Sequence, residues 1–191
     1  MPFMALYVEE LGAPKNKVEW YAGLAVSLSA LASALIAPVW GRLADQYGRK
    51  PMMVRASLVM TFTMGGLAFV PNVFWLLTLR LLNGLFSGYI PNSTALIASQ
   101  APKNRSGYAL GTLATGMIGG SLIGPLLGGM LAEWLGIRQV FLLVGFILLI
   151  CNFLTVFLIK EDFKPVAKAN AMSTRELFLS IKDKQILIGL F

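Results

Sequence analysis

Three groups of residues in this chain have types and spacings that can do chemistry. Arg80 stands alone in an uncharged stretch, with its nearest charged neighbours at Arg55 and Lys103. Asp45 and Arg49 lie four residues apart, Asp45 between Gly41 and Gly48 and Arg49 directly after Gly48, with Lys50 following, so opposite charges sit within reach of each other in a short segment. Gly120, Gly124 and Gly128 recur every four residues, with Pro125 and Gly129 beside them and Gly116 extending the spacing upstream. Small residues four apart form a groove for close helix approach, and a proline frees a carbonyl and bends a helix. This is the chemistry of charge pairing and close packing rather than of bond making. The chain has no histidine and one cysteine, Cys151. That excludes Ser-His-Asp and Cys-His catalysis, an HExxH zinc site and a disulfide framework. The chain is read as no enzyme, with no metal or organic cofactor, and Cys151 as a packed apolar residue.

The elements that must position these groups follow from the charge spacing. Of 191 residues, 57% are hydrophobic and only 13% charged, well outside the soluble average. The stretches between successive charges are 22 residues (20–41), 24 (56–79), 22 (81–102), 27 (106–132) and 21 (139–159). Each reaches the roughly 20 residues a helix needs to cross about 30 Å of hydrocarbon. Lipid gives a backbone no hydrogen-bond partners, so runs of this length must be helices; barrel strands would be about half as long and alternating. The fold class is all-α membrane. Pro71 and Asn72 divide the 24-residue run as a tight turn. Five complete spans result, at about 20–41, 52–70, 73–98, 107–133 and 139–159. Arg80 then lies seven residues into a span, ~10 Å deep at 1.5 Å per residue. A charge at such depth costs about 2.5–3.5 kcal/mol and is expected to face a cavity or a carboxylate, unless it snorkels to the surface.

The net charge of +7 is sorted by loop, not gathered on a soluble face, which argues against nucleic acid as a partner. Lys15, Lys17 and Arg138 fall on one side of the spans; the other twelve loop cations, among them Arg42, Arg49, Lys50 and Arg55, fall on the opposite side. By the positive-inside rule the second side, with the 41–50 segment, is cytoplasmic. The four tryptophans, Trp20, Trp40, Trp75 and Trp134, lie at span ends and read as interfacial belt residues; Trp40, beside Gly41, is alternatively placed at the inner mouth of a cavity.

Taken together, three motifs resemble the major facilitator superfamily, and the likeness covers essentially the whole chain. Gly41-x-Leu43-Ala44-Asp45-x-x-Gly48-Arg49-Lys50 is similar to the family's motif A in the turn after its second helix, and implies a latch between two halves on the inner side. Leu76-x-x-x-Arg80-x-x-Asn83-Gly84 resembles motif B of the fourth helix. Gly120-x-x-x-Gly124-Pro125-x-x-Gly128-Gly129 resembles motif C of the fifth, a mark of antiporters. The resemblance implies a bacterial cell-membrane exporter of the twelve-span drug:proton antiporter subgroup. It would move small amphiphilic organic compounds by alternating access, with protons as partners and the proton gradient as energy source. Candidate cavity residues are Ser27, Asn83, Tyr89, Asn92, Thr115 and Met117. No acidic residue lies deep in a complete span, so the proton carrier is expected outside these spans, or coupling runs through Arg80. Uptake of a sugar or metabolite and a membrane interaction role without transport are the rival readings.

The ends complete the expected organisation. Residues 1–7 are apolar but too short to span, and residues 185–191 are apolar again. The chain is therefore expected to be a fragment: residues 1–160 a partial amino-terminal bundle lacking most of its first helix, 161–184 a basic cytoplasmic linker, and 185–191 the start of a seventh helix. The carboxy-terminal half would be a missing partner, and the 191 residues alone are not expected to transport. Ser173 and Glu176 form a capping box and Met172 with Leu177 a hydrophobic staple, which predicts an amphipathic helix from Ser173 lying on the inner leaflet.

Overall fold

The structure, a computed structural model, describes residues 4–102, 104–161 and 163. The linker apart from residues 161 and 163, the capping box at Ser173 and the start of a seventh helix lie outside the described residues. Regular structure among the described residues is entirely helical: α1 (Met4–Glu10), α2 (Val18–Tyr47), α3 (Arg49–Gly66), α4 (Val73–Leu85), α5 (Tyr89–Gln100), α6 (Ser106–Leu135) and α7 (Ile137–Leu158), with short 3₁₀ turns before α2 and after α3. Five stretches are long and apolar enough to cross a membrane, Lys15–Tyr47, Arg49–Phe69, Val73–Gln100, Ser106–Leu135 and Ile137–Leu158, and they match the five expected spans. The chain is an all-α, multi-pass membrane protein.

Helix α3 is the central post. It packs along most of α7 and also against α5, while α2 pairs with α4 and α6 lies against α5 and α7. Glycines permit the tightest of these contacts: a Cβ on Gly145 of α7 would stand 2.9 Å from the Cα of Gly65 on α3. Close backbone approach is how helices gain dispersion energy in a solvent as apolar as themselves. Buried polar side chains bind the same pair, since the Asn152 amide donates to Val54 O at 3.0 Å and to Ser57 Oγ at 2.6 Å. An amide left unpaired in hydrocarbon would carry its full desolvation cost.

At the end of the bundle holding the Pro71 turn, Met4, Tyr7, Val8, Leu67, Val70 and Leu76 form the apolar core. The Tyr7 hydroxyl donates to the Leu67 carbonyl, one of those freed where α3 ends, and its ring meets Phe141 at 5.0 Å. The expected turn is present. Asn72 caps α4 by accepting from Trp75 N at 3.2 Å, and Arg138 pairs with Glu10 at 3.1 Å beside it.

Three expectations change. The 41–50 segment is not a loop: α2 continues to Tyr47 and α3 begins at Arg49, leaving Gly48 as the whole connection. Its φ of 102° lies in the region only glycine enters freely. The span expected over 73–98 is interrupted at Phe86, Ser87 and Gly88, which separate α4 from α5. Cys151 is exposed rather than packed, because it lies on α7 away from its neighbours, where lipid receives an apolar thiol without penalty.

Gly145→Leu is expected to lower the thermal midpoint of the detergent-solubilised chain by several degrees, since overpacking here meets backbone and not a yielding side chain. Gly23→Ala, where a Cβ meets nothing within 4 Å, should leave the midpoint unchanged. Differential scanning fluorimetry compares the two.

Candidate functional site: a broken span beside a charged hinge

Motif A is built at a helix terminus. The first N–H groups of α3 have no intrahelical acceptors, and Pro51 removes one of them. The carboxylate of Glu161, just past α7, accepts from Arg49 N at 2.7 Å and Lys50 N at 2.8 Å. It thus satisfies both and places a negative charge where the helix dipole favours it. Gly48 leaves it room: a Cβ there would be 2.8 Å from Glu161 Oε2. The expected Asp45–Arg49 pair forms at 2.5 Å, one helical turn apart across the hinge, with both side chains partly exposed. Such a pair contributes little on its own. Gly41 sits inside α2 with open space at its Cβ position.

Motif B is buried where expected. Arg80 is 5% exposed, seven residues past the start of α4, and Ser29 Oγ of α2 donates to its main-chain carbonyl at 2.8 Å. Asn83 donates to Thr63 Oγ1 at 2.8 Å. Gly84 makes a very close approach to α2: a Cβ would stand 2.4 Å from Ser29 O and 2.9 Å from Ala32 Cβ. No side chain fits there.

Immediately beyond Gly84 the span breaks. A break exposes main-chain carbonyls, and at membrane depth these must be covered by protein. Trp40 Nε1 donates to Leu85 O at 2.7 Å. Arg55 Nη2 donates to Ser87 O at 3.0 Å and to Phe86 O at 3.3 Å. The Asn92 amide donates to Gly88 O at 2.7 Å. The Arg55 guanidinium lies over the Trp40 ring at 3.3 Å, a stacked cation–π contact that shields the charge from hydrocarbon. Ser33 and Ser87 hydroxyls meet at 2.6 Å.

A cavity of about 390 Å³ opens at this break, lined by Ser33, Trp40, Asn83, Ser87, Tyr89 and Asn92 among others. The structure therefore gathers Asn83, Tyr89 and Asn92 from the six expected cavity residues, and Trp40 takes its cavity-mouth alternative. Ser27 is exposed on α2. Thr115 bonds back to Gly111 O of its own helix, and Met117 borders a shallow open depression elsewhere. Trp20, Trp75 and Trp134 are exposed at span ends, as belt residues should be.

Motif C lies on α6, which has no buried residue. Gly120, Gly124 and Pro125 are exposed, Gly128 and Gly129 half-buried, and a Cβ at Gly116, Gly120 or Gly124 would meet nothing within 4 Å. Among the described residues the groove is therefore open at Gly116, Gly120 and Gly124, whereas Gly129 lines a small depression with Leu6 of α1.

Sequence reasoning missed Arg55, Ser87, Gly88 and Glu161. Arg55 was counted as an inner-side charge, although a helix opening at Arg49 places it ~9 Å along the axis. The signal for the break was there in Ser87, Gly88 and Pro91 within an apolar run.

Glu161→Ala is expected to speed hydrogen exchange at the Arg49 and Lys50 amides by about tenfold, the usual scale for a lost helix cap. Asp45→Ala, which removes only the exposed pair, should leave them nearly unchanged. Amide-resolved exchange in nanodiscs reads both.

Comparison with known proteins places this architecture. The chain is 63% identical over 190 residues to the multi-drug resistance efflux pump PmrA homolog of Lactococcus lactis, covering 100% of the chain and 47% of the relative. It is 60% identical over 191 residues to the efflux pump PmrA of Streptococcus pneumoniae, covering 48% of that protein. It is also 47% identical over 192 residues to the multidrug resistance protein MdtG of Proteus mirabilis, again 48% of its length. The chain spans about half the length of these curated relatives. The family model of the Major Facilitator Superfamily matches residues 1–191, so the three motifs and the helical bundle that carries them belong to a member of that superfamily.

Proposed function

We propose that this chain supplies one helical half of a proton-driven exporter of amphiphilic organic compounds in the bacterial cell membrane, with the Gly48 end of the bundle cytoplasmic. The observation that carries the reading is the 60–63% identity, over the whole chain, to proteins named as multidrug efflux pumps. Three features of the bundle support it. The glycine–proline face of α6 is exposed at Gly120, Gly124 and Pro125 and fits a second bundle of the kind that the remaining length of the relatives would form. The Gly48 hinge, with Asp45, Arg49 and Lys50 around it, stands at the rim where two halves would meet. The Arg80 charge is buried mid-span, where a permanent cation is kept for function and not for stability.

In an alternating-access cycle two such bundles rock about a site near the midplane. Asp45 and Arg49 then serve as a latch that closes the cytoplasmic rim. Gly120, Gly124, Pro125, Gly128 and Gly129 form the seam that seals against the other half. Arg80, with Asn83 and Gly84, holds the electrostatics of the cavity, and its positive charge is balanced differently as protons come and go. The proton itself is carried by an acid outside the complete spans, or its binding is coupled through Arg80.

The test uses inverted vesicles carrying the protein extended to the full length of its relatives. A cationic dye is expected to be pumped in, with pumping abolished by a protonophore and reduced at least tenfold by Arg80→Ala. Pumping that persists through both treatments contradicts the proton-driven reading.

A further inference from the structure

The break between α4 and α5 is built by side chains from other helices, and those side chains are themselves incompletely paired. Arg55 Nη2 is engaged by two carbonyls, but Arg55 Nε and Nη1 are buried with no hydrogen-bond partner among the described residues, and so is Asn92 Oδ1. Asn92 is 4% exposed. Two donors and one acceptor, each carrying an unrecovered desolvation cost, thus stand on either side of one residue. A Cβ built on Gly88 would lie 3.4 Å from Asn92 Nδ2 and 3.8 Å from Arg55 Nη2. Gly88 itself sits at φ 124°, a conformation that glycine alone adopts without strain.

We propose that Arg55, seated on Trp40, is the positioning residue of a hinge in the fourth span. In the arrangement described here it holds the carbonyls of Phe86 and Ser87 and keeps α4 and α5 broken at Gly88. In a second arrangement a rotation about Gly88 brings Asn92 Oδ1 onto the free guanidinium donors, and the span changes its bend. The unpaired groups make the hinge two-state: neither arrangement satisfies every polar group, so small differences in the surroundings decide between them. The location fits such a role. Trp40 immediately precedes Gly41, and Arg55 lies two turns from Gly48 on the same helix, so movement at the motif A hinge is transmitted to the break through α2 and α3. Gly84 pinned on Ser29 O fixes the α4 side of the break, leaving α5 as the moving part. The inference rests on the transport reading for the use of this motion, not for its geometry.

Spin labels at positions 74 and 98 straddle the break on exposed sites of α4 and α5, ~36 Å apart along the axis. The chain is placed in nanodiscs with Cys151→Ser, and double electron–electron resonance measures the separation. Asn92→Asp offers Arg55 a carboxylate, and Gly88→Ala disfavours the positive φ. Both are expected to move most of the population to the same new separation. Arg55→Gln, which removes the guanidinium from both arrangements, should broaden the distribution without selecting the new separation, while Arg55→Lys, retaining a donor for the carbonyls, should keep the original distribution. A distribution that Asn92→Asp and Gly88→Ala both leave unchanged overturns the proposal, even if Arg55→Gln unfolds the chain. No pumping is required, so failure of the hinge and failure of the exporter reading are told apart.

Discussion

Lipid supplies no hydrogen bonds, and the rest of this structure depends on that constraint. It forces the five long apolar stretches into helices, because only a helix satisfies its own amides. It also fixes what must happen wherever a helix stops. At Gly48 the amides of Arg49 and Lys50 are met by Glu161. Beside the Pro71 turn, Asn72 meets Trp75 N and Tyr7 meets the carbonyl of Leu67. At the break after Leu85, Trp40, Arg55 and Asn92 meet four successive carbonyls. At each of these three places at least one partner comes from a distant part of the chain: Glu161, Tyr7, or Trp40 and Arg55. Those side chains, rather than the apolar spans, set the position of one helix end against another.

The motifs take on physical content in this light. Gly84 is the point where α4 lies directly on the α2 backbone, so the buried Arg80 and the cavity at the break are held at a fixed distance from α2. Gly48 is there because a carboxylate must approach the amides that follow it. The Asp45–Arg49 pair is a rim feature, exposed and weak by itself, whose use depends on a second surface closing over it. The open groove of α6 has the same character. One side of the bundle is packed to the limit, the other presents small residues and apolar side chains to whatever lies beside it.

The spans, their number and the Pro71 turn were legible in the sequence because charge spacing and hydrocarbon thickness leave little choice. So was the burial of Arg80, since depth follows from the helix start. The break in the fourth span was not, because apolar run length measures thickness and is blind to a three-residue interruption within it. The 41–50 segment was read as a turn because charges and glycines mark loops in soluble chains, whereas here Gly41, Arg42 and Asp45 ride on α2, which runs on to Tyr47, and Arg49 and Lys50 on α3. Asn83, Tyr89 and Asn92 converge because the interruption between α4 and α5 lets residues from both sides of it line one cavity with α2. Ser27, Thr115 and Met117 share their polarity or softness but sit on faces that no neighbour covers, and spacing along one helix does not say which face is turned inward. Arg55 was hidden among the topogenic cations because its role is defined by carbonyls more than thirty residues away.

Arg55 seals the interrupted fourth span by holding the carbonyls of Phe86 and Ser87. Solid-state NMR dipolar recoupling between the guanidino nitrogens of Arg55 and the carbonyl carbon of Ser87, in the chain reconstituted into lipid, measures it directly. With the nitrogen 3.0 Å from the carbonyl oxygen, strong dephasing for a nitrogen–carbon separation of ~4 Å is predicted. Absence of dephasing, with Ser87 exchanging its carbonyl partner for water, would contradict the account.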